Sequence, residues 1–288
     1  MRDGPAGSAP GRSPRVAIIG FGYVGTILST YLATRGVHVV AVESQESVVR
    51  ALKLGTMHIR EAGLAEALLP RIREGSIEIT GTIGSVAESN VILVTVGTPL
   101  AGGSSPDLSA LIRATEDLLP QLHKGQLVIV KSTVPPGTTR RVIAPILERS
   151  GLRAGEDFDL AYCPERLSEG NALSEVAALP VVVSGVNPHS TAAADGFWRS
   201  VGLTTAPVDS LEAAELVKLA DNVWIDLTVA MTNELARVCE RMGIDALDVI
   251  RAANTLRKGS GHVNYLHPGI GVGGSCLTKD PWFFAAHA

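Results

Sequence analysis

Gly20-Phe21-Gly22-Tyr23-Val24-Gly25 stands between two apolar runs, and this arrangement constrains the fold more than any other stretch of the chain. Arg15-Val16-Ala17-Ile18-Ile19 before it reads as a buried strand. The residues after it, through about Arg35, read as an apolar helix, and Val37 to Val42 as a second strand ended by Glu43. Strand, glycine turn, helix and strand make a βαβ unit. In such a unit Gly20 permits the tight turn, Gly22 lets a pyrophosphate approach, and Gly25 lets helix and strand pack. The helix N-terminus at Tyr23 and Val24 is where phosphates are received. Glu43, 18 residues beyond Gly25, stands where a carboxylate holds the adenosine ribose hydroxyls and repels a 2′-phosphate. The unit therefore predicts NAD, in preference to NADP, as cofactor.

The alternation of strand and helix continues, which predicts an α/β fold with a Rossmann-type doubly wound parallel sheet. A helical region from about Ser47 to Glu74 has a polar break near Thr56 to Glu61. Strands follow at Ile77 to Thr80, Asn90 to Val96 and Leu127 to Lys131, with Asp107 as N-cap of a helix through Leu122. Thr98, Ser132 and Thr133 fall at carboxyl ends of strands, where such sheets hold their ligands. Each is also a residue type common in plain turns. Further strands are expected at Asp159 to Tyr162 and Val181 to Ser184. Between them, Glu165 and Glu169 read from this segment alone as loop carboxylates. A helix from about Ser210 to Met242 is apolar nearly all round and predicts burial between domains or subunits. Lys218 and Asn222 share one face of it, either at a solvated edge or pointing into a site. A shorter helix is expected at Asp245 to Ala253. The division this implies is a floppy tail at 1–14, a cofactor domain at 15–205 and a mainly helical central domain at 206–288, with the long helix as dimerisation element.

The chain has 288 residues and a net charge of −4, which argues against nucleic-acid or anionic-membrane partners. Cys163, Cys239 and Cys276 are odd in number and far apart. They make no zinc pattern and no disulfide framework, so no metal is expected and a reducing cytoplasm fits. Cys276 stands within Gly269-Ile270-Gly271-Val272-Gly273-Gly274-Ser275-Cys276-Leu277-Thr278-Lys279-Asp280, after the four glycines. A cysteine on a glycine-rich loop beside a lysine is a candidate nucleophile, and equally a small buried hydrophobe next to a turn.

Six segments in this order, GFGYVG, VGTP, STVPPGT, CPERLSEG, AELVKLADN and GVGGSC-LTKD, resemble the nucleotide-sugar 6-dehydrogenases, the UDP-glucose/GDP-mannose dehydrogenase family. The resemblance runs from residue 15 to residue 288. It implies oxidation of a sugar C6 alcohol to a carboxylate by successive hydride transfers to NAD+. It also implies a homodimer built on the long helix. By position, Cys276 resembles the nucleophile that holds the aldehyde as a thiohemiacetal and then as a thioester. Lys218 and Asn222 resemble the pair that stabilises the oxyanion. Glu165 resembles the carboxylate that assists water, with Asp280 its partner and Thr133 helping to place that water. Lys279 and Glu169 match positions on the nicotinamide side. Tyr265 and Leu266, with Gly271 and Gly273, match the sugar-nucleotide side.

His262 stands where the family has an arginine reaching the sugar from a neighbouring subunit. Val48 stands where a basic residue is usual. The chain ends eight residues after Asp280, so the family's C-terminal nucleotide-binding domain is expected to be absent. A rival expectation is an inactive NAD-binding homologue or partner subunit. Cys163-Pro164-Glu165-Arg166 and Pro281-Trp282-Phe283 resemble the UDP-N-acetylhexosamine branch, nearest the UDP-N-acetylmannosamine enzymes. Ser275 and Lys279 resemble the UDP-glucose branch.

Overall fold

The structure is a computed structural model and describes residues 15–258, 261, 262, 264–274 and 276–286, with the backbone alone at 258 and 262. The expected tail at 1–14, Gly259, Ser260, Ser275 and the side chain of His262 lie outside the described residues. The order of elements is β1 (Arg15–Ile19), α1 (Tyr23–Thr34), β2 (His38–Val42), α2 (Glu46–Lys53), α3 (Leu64–Arg73), β3 (Ile77–Thr80) and β4 (Val91–Val94). A small hairpin, β5 (Leu100–Ala101) and β6 (Ser105–Pro106), precedes α4 (Ser109–Leu118), β7 (Leu127–Val130), α5 (Ala144–Glu148) and β8 (Asp159–Tyr162). Then come α6 (Ala172–Ala178), β9 (Val181–Gly185), α7 (Pro188–Ser200) and β10 (Thr205–Pro207). The rest is α8 (Leu211–Met242), α9 (Ala246–Ala253), a second hairpin of β11 (Arg257–Lys258) and β12 (Gly261–His262), and α10 (Asp280–Ala285).

Among the described residues eight strands form one sheet in the order β10-β9-β8-β7-β4-β1-β2-β3. The chain leaves β1 towards β2 and β3, then returns to build on the other side of β1. The switch point therefore lies between β1 and β4, and a crevice opens there beyond the carboxyl ends. The strands end in register: Ile19 pairs with Val42 and Val94, Val94 with Val130, and Val130 with Tyr162. The next residue of each strand, Gly20, Glu43, Thr95, Lys131 and Cys163, donates one further backbone hydrogen bond along this edge. Gly20 and Glu43, two of the residues singled out by the sequence, thus stand in one row at this edge.

Both faces of the sheet are covered, so the inner strands are apolar throughout. Val16 and Ile18 pack with Leu32, Leu64 and Trp198 on one face; Ala17 and Ile19 pack with Leu111, Leu147 and Leu211 on the other. Each such large side chain contributes about 1.5–3 kcal/mol. Gly25 sits where a Cβ would meet Gly20 O at 2.1 Å, so its bareness sets the contact between α1 and β1. Gly20 has φ +96°, with a Cβ position 3.0 Å from Val96 N.

The doubly wound sheet has one antiparallel pair, β8 with β9. The seven-residue α6 connects the two. The 13-residue α7 follows β9, and β10 is parallel to β9 again. Asp107 is not the N-cap of α4. The helix begins at Ser109, and Asp107 Oδ1 accepts from Ser109 N–H at 2.9 Å. Pro120 turns the expected last helical turn into a 3-10 turn at Leu119–Gln121.

The helix α8 runs 32 residues between a Ser210 N-cap and Gly243 at φ +68°. Its first half buries Leu211, Ala214, Glu215, Lys218, Leu219 and Asn222, a stripe at helical spacing. Its second half leaves Trp224, Leu227, Met231, Val238 and Met242 exposed in the single chain. No helix among the described residues is long and apolar enough to cross a membrane.

Candidate functional site

The crevice at the switch point has a volume of about 550 Å³ and is lined by Gly20, Gly22, Glu43, Gln45, Val96 and Arg113, among others. That is within the usual range for a small-molecule site. A Cβ on Gly22 would meet nothing within 4 Å, so the approach to the helix end is open. Gly22 is also the N-cap of α1 and supplies no capping side chain. The first N–H groups of α1 have no intrahelical acceptor and no capping side chain, so with the helix dipole behind them they suit an anion. These residues fit a dinucleotide. Glu43 is buried and already accepts from Phe21 N–H at 3.0 Å and Gln45 N–H at 2.8 Å. It thereby ties the glycine turn to the end of β2.

Other residues expected at the cofactor stand around this crevice without lining it. Val24 packs against the core and Gly25 is buried beneath the helix. Tyr23 donates its hydroxyl to Glu61 Oε2 at 2.6 Å. Thr98 donates to Thr133 O at 2.6 Å and Ser132 to Val96 O at 2.7 Å. These two hydroxyls cross-link the loops after β4 and β7. Glu169 is exposed beside Gly170.

A second cluster forms where α10 meets α8. Asn222 donates from Nδ2 to Asp280 Oδ2 at 2.5 Å and accepts at Oδ1 from Lys218 Nζ at 3.4 Å. Lys218 and Asn222 are buried and Asp280 is wholly so. Lys279 Nζ stands 2.6 Å from Asp280 Oδ1, within ion-pair distance but off the line of a hydrogen bond, and lies over the Phe283 ring. Cys276 is exposed, and its carbonyl accepts from the N–H groups of Lys279 and Asp280. One turn of backbone thus separates Cys276 from Asp280, the end of the buried polar chain.

Glu165 is brought to the same helix by its loop. Arg166 Nε donates to Asp221 Oδ2 at 2.7 Å, one residue before Asn222. Glu165 Oε1 accepts from the N–H groups of Arg166 and Leu167, and Oε2 lies 3.6 Å from Lys131 Nζ. Tyr162, the last residue of β8, is wholly buried, its hydroxyl donating to Ser132 O at 3.2 Å. Burial pushes its phenol well above the ordinary value, and the charges of Glu215, Asp280 and Glu165 push it further.

Tyr265 and Leu266 are held elsewhere. Tyr265 exchanges hydrogen bonds with the Asn254 side chain, and Leu266 N–H donates to Thr232 Oγ1. Thr232 is ten residues beyond Asn222, roughly 15 Å along α8. Gly271 and Gly273 are exposed on the loop between the two places.

Sequence reasoning missed three residues. Lys131 is buried at the end of β7 and donates to Cys163 O at 3.1 Å and Pro164 O at 3.3 Å, with the Trp198 ring beside it. A charge closing an apolar strand is the signal that would have found it. Glu215, fully buried on α8, accepts from Gly137 N–H at 2.5 Å and Thr139 N–H at 2.8 Å, and burial raises its pKa. Glu61 has no local signal; its partners lie 38 to 111 residues away.

Residues 14–200 match the NAD binding domain of the UDP-glucose/GDP-mannose dehydrogenase family, and residues 212–288 match its central domain. The chain is 33% identical over 274 residues to a UDP-N-acetyl-D-mannosamine dehydrogenase of Pyrococcus horikoshii, covering 95% of this chain and 64% of the relative. The structure of the Pyrococcus protein superposes with a TM-score of 0.88 over the same shares. Another UDP-N-acetyl-D-mannosamine dehydrogenase, from Escherichia coli, is 33% identical over 94% of this chain and 64% of its own length. A UDP-glucose dehydrogenase structure from Pyrobaculum islandicum is similar with a TM-score of 0.86 at 29% identity, covering 98% of this chain and 66% of that one. The chain thus spans about 64% of the length of the curated relatives it matches.

Proposed function

The chain belongs to the UDP-glucose/GDP-mannose dehydrogenase family, and from that premise we propose that it is an NAD-dependent nucleotide-sugar 6-dehydrogenase acting on a UDP-N-acetylhexosamine of the mannosamine type. The observation that supports this reading is the buried chain Lys218–Asn222–Asp280, one turn of backbone from Cys276. Bound NAD+ supplies the hydride acceptor. The thiolate of Cys276 adds to the C6 aldehyde, and the carbonyl π pair becomes an oxyanion. Lys218 and the second amide proton of Asn222 are the donors available to that oxyanion, and in a buried setting such donors are worth several kcal/mol. The sulfur keeps the carbon bound between the two hydride losses, so the reactive aldehyde does not escape. Loss of the second hydride leaves a thioester at Cys276. Water then attacks it, Glu165 takes a water proton, and the carboxylate product departs from the thiolate.

Asp280 orients Asn222 through the 2.5 Å hydrogen bond. Thr133 borders the path of the water at the end of β7, and Glu169 and Lys279 flank the nicotinamide side. Tyr265, Leu266, Gly271, Gly273 and His262 contribute to the sugar-nucleotide side, in a cytoplasmic homodimer built on α8. The division into a cofactor domain at 15–205 and a central domain at 206–288 follows this assignment of roles.

The test is NADH formation by the purified chain with UDP-N-acetylmannosamine, UDP-N-acetylglucosamine and UDP-glucose. The reading expects turnover with the first and its loss in Cys276→Ser. Full activity in Cys276→Ser would remove the covalent mechanism. Tighter binding of NADP+ than NAD+ would remove the role given to Glu43.

A further inference from the structure

Glu61 gathers three distant segments at one carboxylate. Its Oε2 accepts from the Tyr23 hydroxyl at 2.6 Å and from Gly170 N–H at 2.8 Å, and its Oε1 accepts from Ala172 N–H at 3.0 Å. Tyr23 is the first residue of α1, directly after Gly22 at the mouth of the cofactor crevice. Gly170 and Ala172 end the loop that carries Glu165 and Glu169. The segment bearing Glu61 is itself seated on the glycine turn. His58 Nε2 lies 2.7 Å from Phe21 O, and its ring stacks on Phe21 with centroids 5.9 Å apart. Nothing in the reaction proposed above uses Glu61.

Resting on that proposed function, we propose that Glu61 is a positioning residue: it fastens the loop bearing Glu165 and Glu169 to the first turn of α1, so that filling the cofactor crevice fixes that loop beside the cofactor. The route is short. An anion at the N-terminus of α1 orders the backbone of Tyr23. The phenol passes that order to Glu61, and the two loop amides receive it. Hydrogen bonds to an ionised acceptor are stronger than neutral ones, which suits a link that must hold three segments at once. The ionisation behaviour agrees with the geometry. Burial pushes the Glu61 carboxyl up, but the Tyr23 hydroxyl and the Gly170 and Ala172 amides together bring it below its ordinary value. The Tyr23 phenol is raised, first by burial, then by the hydrogen bond and charge of Glu61, with Glu169 adding to it. The shared proton stays on Tyr23 and the charge on Glu61.

Hydrogen exchange of the full chain, with and without NAD+, tests this. In the wild type NAD+ should slow exchange across 165–172 by about tenfold, as expected when ligand binding orders a locally opening segment. Glu61→Ala should speed exchange there without ligand and abolish the NAD+ effect, while NAD+ still binds. Tyr23→Phe keeps the two loop amides on Glu61 and cuts only the link to α1. It should therefore exchange like the wild type without ligand, yet lose the slowing by NAD+. If NAD+ slows the segment equally in the wild type and in Tyr23→Phe, or not at all in the wild type that binds it, the coupling is wrong and the cofactor reading stands. If the wild type does not bind NAD+, the cofactor reading fails and the coupling with it.

Discussion

The three cysteines share a functional group and differ in everything that governs its chemistry. Cys163 is buried beneath Lys131 and accepts the Trp198 indole N–H at 3.3 Å, and burial pushes its thiol up to about 11. At pH 8 about one such thiol in a thousand is ionised. Cys239 is buried on α8, and Cys276 is exposed on the glycine-rich loop. Iodoacetamide at pH 8 should therefore modify Cys276 and leave Cys163 and Cys239 intact in the native chain, as read by peptide mass spectrometry. Labelling of Cys163 at a rate similar to Cys276 would mean that its environment is open. Cys276, Lys218, Asn222 and Asp280 could be named as candidates from the sequence because each lies in a segment that carries the family resemblance. Their contacts could not, since Asn222 and Asp280 are 58 residues apart and meet only when α10 packs on α8. Glu61 was invisible for the same reason, whereas Lys131 had a local signal, a charge closing an apolar strand, that went unused. A residue whose role is to hold a remote segment has no local pattern.

Elements were legible where periodicity and caps agree. The long helix begins at Ser210, whose hydroxyl accepts from Ala213 N–H, and ends before Gly243, as the residue types demand. The antiparallel β9 was not legible, because an apolar run is the same read in either direction and its pairing with β8 is a long-range contact. Two predictions belong to this scale. Gly25→Ala should destabilise the chain by about 3 kcal/mol and abolish NAD+ binding, because the new Cβ meets backbone, which cannot step aside as a side chain does. Unchanged thermal unfolding would contradict it. Glu215 anchors α8 to the loop after β7, and burial raises its pKa above the ordinary 4.5. The folded chain thus holds this proton more tightly than the unfolded chain. The resulting stability is complete below about pH 4.5 and is lost as pH rises through the raised value. Relative to Glu215→Gln, which does not titrate, the wild type should lose stability from pH 4.5 upward in urea unfolding. A gap that widens in favour of the wild type with rising pH would show that the two amides outweigh burial.

At the scale of the whole molecule, the chain makes one Rossmann-like layer structure and then a helix too long for it. The first half of α8 finds the sheet; the second half projects past it with its apolar residues uncovered. Trp224, Leu227 and Met231 follow one another at three- and four-residue steps, and they are 54%, 62% and 54% exposed. With Thr228, Asn264 and Tyr265 they line a hollow of about 300 Å³. An all-round apolar helix was legible from the sequence as a buried one, and a single copy of the chain covers only half of it. Soluble monomers rarely leave such a stripe bare. Pairing through a two-fold axis would cover it twice over, because each residue of the stripe then serves both copies. The same contact would bear on Tyr265, which lies in the hollow, and so on the proposed sugar-nucleotide side of a neighbouring copy. Light scattering at micromolar concentration should therefore give twice the chain mass for the wild type. In Leu227→Glu a buried, unpaired carboxylate at the centre of the stripe opposes its own symmetry mate, and the mass should fall to that of one chain. Circular dichroism should be unchanged there, since Leu227 contributes little to the core of its own chain. A monomeric wild type would leave the exposed half of α8 without a partner of its own kind, and a dimeric Leu227→Glu would place the interface elsewhere on the molecule.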